Sequence, residues 1–332
     1  LKDVYDVNKV LITGGEPLTQ HDLTKIISYI SSLGIKPDMV TNGILLTDSK
    51  IKELDKAGLK RVRISIDEVN DCSLIRSKEN PSNLWNTAAK VKELSNNIEV
   101  CIHTVCTPSN VDNLFEVYKK VLEVGGKRWR VFDLGFQGEI KKKKKGFDFT
   151  NYYQKLIAST KKILEHYISN NIKEKLDIEI NNVFRTLMLR NSESQEYINV
   201  DIEKALEARA NKSPCDYVTE HQLTIRSNGK GTLCQYFHNT IFDFKGHDFD
   251  VEKTIIDKKD VIENEIIMKD VKPCMNCKYC LVCNGGCRSR AQFLTGSIYD
   301  ADPAGCVLYQ LIFSELLPIF PKSLQKEYEA YT

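Results

Sequence analysis

At 332 residues the chain is long enough for two or three domains and a sizeable core. Its 42% hydrophobic and 28% charged residues are ordinary for a globular protein, which argues against a disordered or fibrous chain. Lys and Arg number 47 against 45 Asp and Glu, a net charge of +2 that gives no argument for nucleic acid, and no apolar run reaches the ~18–20 residues of a membrane span.

The chain opens Leu1-Lys2-Asp3-Val4, with no initiator methionine and no signal-peptide pattern. The first strand run begins at Lys9, so an N-terminal piece is expected to be missing. Lys9 to Thr13 is a short apolar run closed by Gly14-Gly15-Glu16-Pro17. Leu23, Ile26, Ile27, Ile30 and Leu33 follow at helical spacing, with Gly34 as a stop. Asp38 to Thr41 is the next strand, ended by Asn42-Gly43. Asp48 is placed to cap a helix carrying Ile51, Leu54 and Ala57. Arg61 to Ile66 is a third strand, Ser82 opens a helix, and Glu99 to Val105 is a fourth strand. Val111 to Val124 reads as a helix and Arg128 to Leu134 as a fifth strand.

This β-α alternation predicts a parallel sheet, either an open doubly wound one or a barrel. In both, function gathers at the carboxyl ends of the strands. Gly14-Gly15-Glu16-Pro17, Thr41-Asn42-Gly43 and Ser65-Ile66-Asp67 fall there. The five-lysine run Lys141 to Lys145 reads as a solvated loop between domains, with a dock for an acidic peptide as the sharper alternative. Residues 150–210 read as a helical connection. Gln222 to Arg226 and Gly231 to Leu233 flank Ser227-Asn228-Gly229 as a hairpin, and Cys306 to Phe320 reads as a final helix.

Eleven cysteines without an export signal suggest a reducing, cytoplasmic compartment and favour free thiols or metal ligands over disulfides. Seven of them carry a pattern. Thirteen residues separate Cys215 from Gly229, and four more lead to Cys234. Cys274, Cys277, Cys283 and Cys287 then follow with gaps of two, five and three residues, and Cys306 closes the set. Short Cys spacings let one loop wrap one soft-metal centre. A four-thiolate zinc ribbon explains part of this set, but seven cysteines exceed one zinc site.

The pattern resembles the SPASM domain of radical S-adenosylmethionine (SAM) enzymes, over about residues 214–310. Gly14-Gly15-Glu16-Pro17 resembles the same family's GGEP motif, and Ser65-Ile66-Asp67 resembles its Ser-x-Asp strand end. The resemblance implies an α/β fold: a partial (β/α)6 radical SAM barrel, lacking its first strand and cluster loop, plus a small Cys-rich SPASM domain. The expected division is 1–140 for the barrel, 141–213 for the lysine-rich loop and helical connection, and 214–332 for the SPASM domain. It implies SAM contacts at Gly14, Gly15, Glu16, Pro17, Asn42, Ser65, Asp67, Arg76 and Leu134, with Glu16 receiving a hydrogen bond from the SAM ammonium. It also implies two auxiliary [4Fe-4S] clusters, one on Cys215, Cys234 and Cys287, the other on Cys274, Cys277, Cys283 and Cys306. Cys280 is extra to the pattern and reads as a spare thiol. Cys72, Cys101 and Cys106 read as small packed residues, and His103 as a core or cavity residue.

By the same resemblance, the complete protein is a maturase that cleaves SAM to a 5′-deoxyadenosyl radical and takes hydrogen from a peptide or protein substrate. A flavodoxin or ferredoxin would supply electrons, and neither nucleic acid nor membrane is an expected partner. Gln235 stands where sulfatase maturases carry an aspartate base, which disfavours that activity. A small-molecule radical SAM enzyme and a non-catalytic iron–sulfur or zinc protein are the competing readings.

The catalytic cluster's C-x3-C-x2-C motif, expected upstream of GGEP, is absent from these residues. The 332-residue chain alone is therefore expected to release no 5′-deoxyadenosine from SAM after reconstitution, as measured by chromatography.

Overall fold

The computed structural model describes the chain except residues 1–6, 70–80, 135–146, 173–174, 181–201, 215–223, 233, 235, 237–241, 247, 249, 251–253, 255–265, 321 and 330–332. Cys72, Arg76, the Lys141–Lys145 run, Cys215 and Gln235 therefore lie outside the described residues. Two compact units emerge. One comprises residues 1–134 and 155–189, the other residues 135–154 and 190–332.

The first unit is built on six strands: β1 (Lys9–Ile12), β2 (Lys36–Thr41), β3 (Arg61–Ser65), β4 (Glu99–Val105), β5 (Arg128–Phe132) and β6 (Asp177–Ile180). Every neighbouring pair is parallel, and the spatial order is the chain order, with β1 and β6 at the edges. The helices α1 (Leu23–Ser32), α2 (Asp48–Lys56), α3 (Pro81–Leu94) and α4 (Leu114–Glu123) alternate with the strands, and α5 (Phe149–Ser169) precedes β6.

The order decides between the two architectures left open by the sequence. Parallel crossovers are right-handed. If the strand order never reverses, each crossover lands on the same side of the sheet. A doubly wound sheet needs a reversal to place helices on both sides. Here there is none, so the sheet is a partial, unclosed barrel wall.

Burial along the strands agrees. Val62, Ile64, Val100, Ile102, Trp129, Val131, Ile178 and Ile180 are buried on the helix-covered face. The alternate positions carry Arg61, Arg63, Glu99, Cys101, His103, Arg128, Arg130, Asp177 and Glu179. Each fully buried Val, Ile or Leu contributes about 1.5–3 kcal/mol, so the apolar face supplies most of the stabilisation. The polar face is knitted by ion pairs. Asp38 is buried against Arg63, whose Nε donates at 2.9 Å and whose Nη2 also bonds the carboxylate.

Several local features differ from the sequence reading. The segment read as a helical connection supplies a sixth strand. Asp177-Ile178-Glu179-Ile180 pairs with β5, and Arg128–Asp177 (2.7 Å) and Arg130–Glu179 (2.5 Å) bridge the register partners. Four residues are too few for periodicity to identify, so these cross-strand charges and the pairing select the strand. Helix α2 is capped by Thr47, not Asp48: the Thr47 hydroxyl accepts from the Lys50 N–H at 3.3 Å. Asp48 instead sits in the first turn, where a carboxylate favours the helix dipole.

The second unit contains α6 (Ile202–Ala210) and a small antiparallel sheet of β7 (Thr224–Ile225), β8 (Lys230–Thr232) and β9 (Phe242–Asp243). β7 and β8 form the hairpin expected around Ser227-Asn228-Gly229, with Arg226 N–H donating to the Lys230 carbonyl at 2.8 Å. The Cys-rich segment follows, with α7 (Arg288–Thr295), α8 (Pro303–Leu311) and α9 (Lys322–Glu329). The helix expected from Cys306 to Phe320 is broken. α8 begins earlier, with Pro303 at its favoured first position. It then widens into a π turn at Ile312–Leu316 and tightens into a 3-10 turn at Leu317–Ile319, where Pro318 cannot donate. No described helix is long and apolar enough to cross a membrane.

Removing the Asp38 carboxylate would leave Arg63 buried and unpaired. Asp38→Ala is expected to destabilise the protein by about 3–5 kcal/mol, read as a lowered urea midpoint. Asp22→Ala, which breaks the exposed Asp22–Lys25 pair, should change stability by less than about 1 kcal/mol.

Candidate functional site

In the first unit the described candidates follow β1 (Gly14, Gly15, Glu16 and Pro17), β2 (Asn42), β3 (Ser65 and Asp67) and β5 (Leu134). β1 ends in a sharp corner. Gly14 has φ +133°, which only glycine adopts without strain. A Cβ at Gly14 or Gly15 would meet no protein atom within 4 Å. Packing therefore does not demand glycine at Gly15. A bare backbone there suits the close approach of a ligand.

Glu16 caps the turn Pro17–Thr19, and its carboxylate ties together two strand ends. Oε1 accepts from Leu18 N–H at 3.1 Å and from the Thr41 hydroxyl at 2.6 Å. Oε2 accepts from Asn42 N–H at 2.8 Å. Three of about four acceptor positions are thus engaged inside the protein. The geometry gives Glu16 a bracing role between β1 and β2. Pro17 is buried beneath it. Asn42 turns its side-chain oxygen to Ile44 N–H at 3.0 Å, which shapes the loop rather than reaching outward.

The next two strand ends are held in the same way. Ser65 closes β3, half-buried and in register with His103. Asp67 is buried and accepts from Val105 N–H at 2.8 Å. The sequence reading missed Asn110, which is buried and bonds three backbone groups. Its amide donates to Asp67 O (3.1 Å) and Val105 O (2.9 Å), and its oxygen accepts from Thr107 N–H (2.7 Å). The only sequence signal for it was an Asn in a Pro-Ser-Asn turn after a strand. Leu134, just past β5, is buried.

The polar sheet face supplies a second set the sequence reading passed over. Arg61, Arg63, Arg128 and Arg130 alternate with apolar residues on β3 and β5, a period-2 signal for a sheet face without helices. Cys101 lies among them, and burial pushes its thiol up to about 12 against the opposing pull of these arginines. His103 packs edge-on to Phe132, with ring centres 4.9 Å apart.

In the second unit, Cys283 to Cys287 forms an unusual turn. Asn284, Gly285 and Gly286 are all left-handed, at φ +54°, +74° and +76°. Consecutive left-handed residues reverse the chain tightly, and only the Gly and Asn types tolerate this. A Cβ on Gly286 would lie 2.6 Å from Asp302 Cβ, so close packing also requires glycine there. Asp302 is the clamp. Its buried carboxylate accepts from Cys287 N–H at 2.9 Å and from Arg290 Nε at 2.9–3.0 Å, and its carbonyl accepts from Cys306 N–H at 2.9 Å. One residue thereby holds the Cys283–Cys287 turn against the helix bearing Cys306.

Cys274, Cys277, Cys283 and Cys306 share one electrostatic neighbourhood. Burial is the main cause of a raised thiol pKa at Cys274 (to about 11) and Cys283 (to about 12), and of the upward shift at Cys306. Neighbouring thiols add to each shift: Cys306, Cys277 and Cys280 at Cys274, Cys306, Cys274 and Cys277 at Cys283, and Cys277 at Cys306. Cys280 instead packs with Met268, Val271 and Cys274 in a small apolar cluster. Cys234 is buried and Cys287 exposed. Ser289 Oγ donates to the Tyr236 carbonyl at 3.0 Å, joining the chain segments that carry these two cysteines. None of the nine described cysteines forms a disulfide, and no three described His, Cys, Asp or Glu side chains converge into a closed metal cage. The donor set is sulfur, which fits iron–sulfur or zinc chemistry and not magnesium or calcium.

Residues 1–122 match the family model described as the Radical SAM superfamily. The chain is 24% identical over 316 residues to an AdoMet-dependent heme synthase of Methanosarcina barkeri, covering 91% of this chain and 84% of that protein. It is 37% identical over 99 residues to a GTP 3′,8-cyclase of Aquifex aeolicus, a match spanning only 31% of that protein. Among solved structures, native anSMEcpe with bound AdoMet and Cp18Cys peptide superposes with a TM-score of 0.63 at 17% identity, covering 98% of this chain and 86% of that one. Streptococcus suis SuiB bound to precursor peptide SuiA superposes with a TM-score of 0.56 at 19% identity, covering 90% of this chain and 65% of that one. These likenesses establish a shared fold.

Glu16→Ala would strand the Leu18 and Asn42 N–H groups and the Thr41 hydroxyl. A loss of about 1.5–3 kcal/mol is expected, measured by thermal or urea unfolding, with Glu16→Gln losing less. In metal-free protein, iodoacetamide should label exposed Cys277 and Cys287 first and buried Cys101 and Cys280 last, as read by peptide mass spectrometry.

Proposed function

We propose that this chain, whose residues 1–122 match the Radical SAM superfamily model, belongs to a radical SAM/SPASM maturase acting on a peptide or protein side chain. The observation that carries the reading is the Asp302 clamp, which fastens the Cys283–Cys287 turn to the start of the helix bearing Cys306. This occurs in a chain whose other unit presents an open Gly14-Gly15 corner. Reductively cleaved SAM supplies a hydrogen-abstracting radical, and the auxiliary clusters supply electron transfer or a substrate-binding metal.

The chain's own residues provide binding and positioning. The bare backbone at Gly14 and Gly15 receives the methionine end of SAM. Glu16 holds that corner against Thr41 and Asn42, so the two loops present one surface. Ser65, Asp67, Arg76 and Leu134 complete the SAM site. Asp67 acts partly through its bond to Val105, which sets the end of β4. Cys274, Cys277, Cys283 and Cys306 hold one auxiliary cluster, and Cys215, Cys234 and Cys287 the other. Electrons come from a flavodoxin or ferredoxin.

The peptide reading is supported by two structural neighbours solved with peptides. A second reading has its own support: the relative aligned along 91% of this chain is named a heme synthase, which favours a small-molecule substrate.

The intact protein, reconstituted anaerobically, should contain iron and sulfide in amounts matching two auxiliary clusters beyond the catalytic one. Zinc without sulfide would remove the cluster reading. 5′-Deoxyadenosine release stimulated by a candidate peptide would support maturation, and stimulation only by a small molecule would select the second reading. Cys283→Ala and Cys306→Ala are each expected to lower iron content by about one cluster while leaving the iron bound by Cys234 and Cys287 in place.

A further inference from the structure

Arg288 is a buried cation with no ion pair among the described residues. It follows Cys287 directly, opens α7 and is 1% exposed. Its Nη1 donates to the carbonyls of Ile298 (2.8 Å) and Asp300 (2.7 Å), and Nη2 donates to the Gly285 carbonyl. Its Nε is buried with no hydrogen-bond partner. The neighbouring buried carboxylate, Asp302, is bonded to Arg290 and to Cys287 N–H. Among the described residues Arg288 therefore has backbone dipoles around it and no ion pair.

A guanidinium buried in this way costs several kcal/mol unless negative charge is supplied. The groups within electrostatic reach, besides Asp302, are Cys274, Cys283 and Cys287. As free thiols these are neutral. As ligands of a metal centre they are thiolates, and a centre held by four thiolates carries net negative charge.

We propose that Arg288 is the built-in countercharge of the centre held by Cys274, Cys277, Cys283 and Cys306. This rests on the reading of those cysteines as ligands. A fixed cation stabilises an anionic centre, and stabilises its one-electron reduced, more negative state further. Arg288 thus raises both the retention and the reduction potential of that cluster. It is a positioning and electrostatic residue, not a catalytic one.

The test uses the intact protein, loaded with iron and sulfide or stripped of them, as wild type, R288Q and R288K. In R288Q the auxiliary-cluster potential should shift to more negative values in a spectroelectrochemical titration. Iron loss to a chelator should be about 10–100-fold easier, the usual effect of removing a group that supports metal ligands. R288K keeps the charge and should recover most of the potential. The melting temperature should fall in loaded R288Q and hold or rise in stripped R288Q, because the stripped protein loses an unmatched charge.

A purely structural Arg288, tying three carbonyls, predicts equal destabilisation of both forms and an unmoved potential; that result overturns the proposal. If R288Q does not fold when stripped, the loaded R288K potential decides. Near wild type it supports the countercharge, and a large negative shift with full iron content refutes it. Absence of iron and sulfide from wild type would instead refute the cluster reading itself.

Discussion

Handedness of the chain crossovers is the constraint on which the first unit depends. Six parallel strands in strict chain order, joined by right-handed connections, force the helices onto one face. That face takes the apolar burial that stabilises the fold. The opposite face is released from packing a helix and can carry Arg61, Arg63, Glu99, Arg128, Arg130, Asp177 and Glu179. Most parallel sheets are covered on both sides and cannot hold so many charges. Here the charges neutralise one another across strands, with Asp38–Arg63 the most buried pair. The same ladder that recruits β6 through Arg128–Asp177 and Arg130–Glu179 therefore extends the wall.

Side chains at the strand ends are spent mainly on the protein's own backbone. Glu16, Asp67 and Asn110 each bond N–H or C=O groups of a neighbouring strand end. Loops at the carboxyl end of a parallel sheet have orphan backbone groups that no ladder satisfies, and buried orphans are costly. Acidic and amide side chains meet that need. Open space is left where side chains are absent, above all at Gly14 and Gly15.

The cysteine segment solves a different problem. Its thiols come from two stretches separated by α7, and Cys274 and Cys280 sit in a small apolar cluster with Met268 and Val271. A left-handed run through Asn284, Gly285 and Gly286 turns the chain back on itself, and the Asp302 carboxylate fastens that turn to the start of α8. Opposite charges are divided between two arginines. Arg290 neutralises Asp302, while Arg288 binds only carbonyls. The Cys283–Cys287 turn is thereby fastened by polar interactions in which each partner has a specific geometry.

Much of this was legible in the residues alone. Strand and helix alternation follows from local periodicity, so five of the six strands and the helices between them could be read directly. The candidate cysteines and the Gly-Gly-Glu-Pro corner could be singled out because their pattern lies in spacing along the chain. Tertiary structure alone decided the rest, because it depends on contacts between residues far apart in sequence. Strand order chose a barrel wall over a doubly wound sheet, and pairing with β5 turned four alternating residues into a strand. Glu16 became a brace only because Thr41 and Asn42 lie within its reach. Asp302 and Arg288 look like ordinary surface charges in the sequence; burial and the carbonyls around them made one a clamp and the other an unmatched cation.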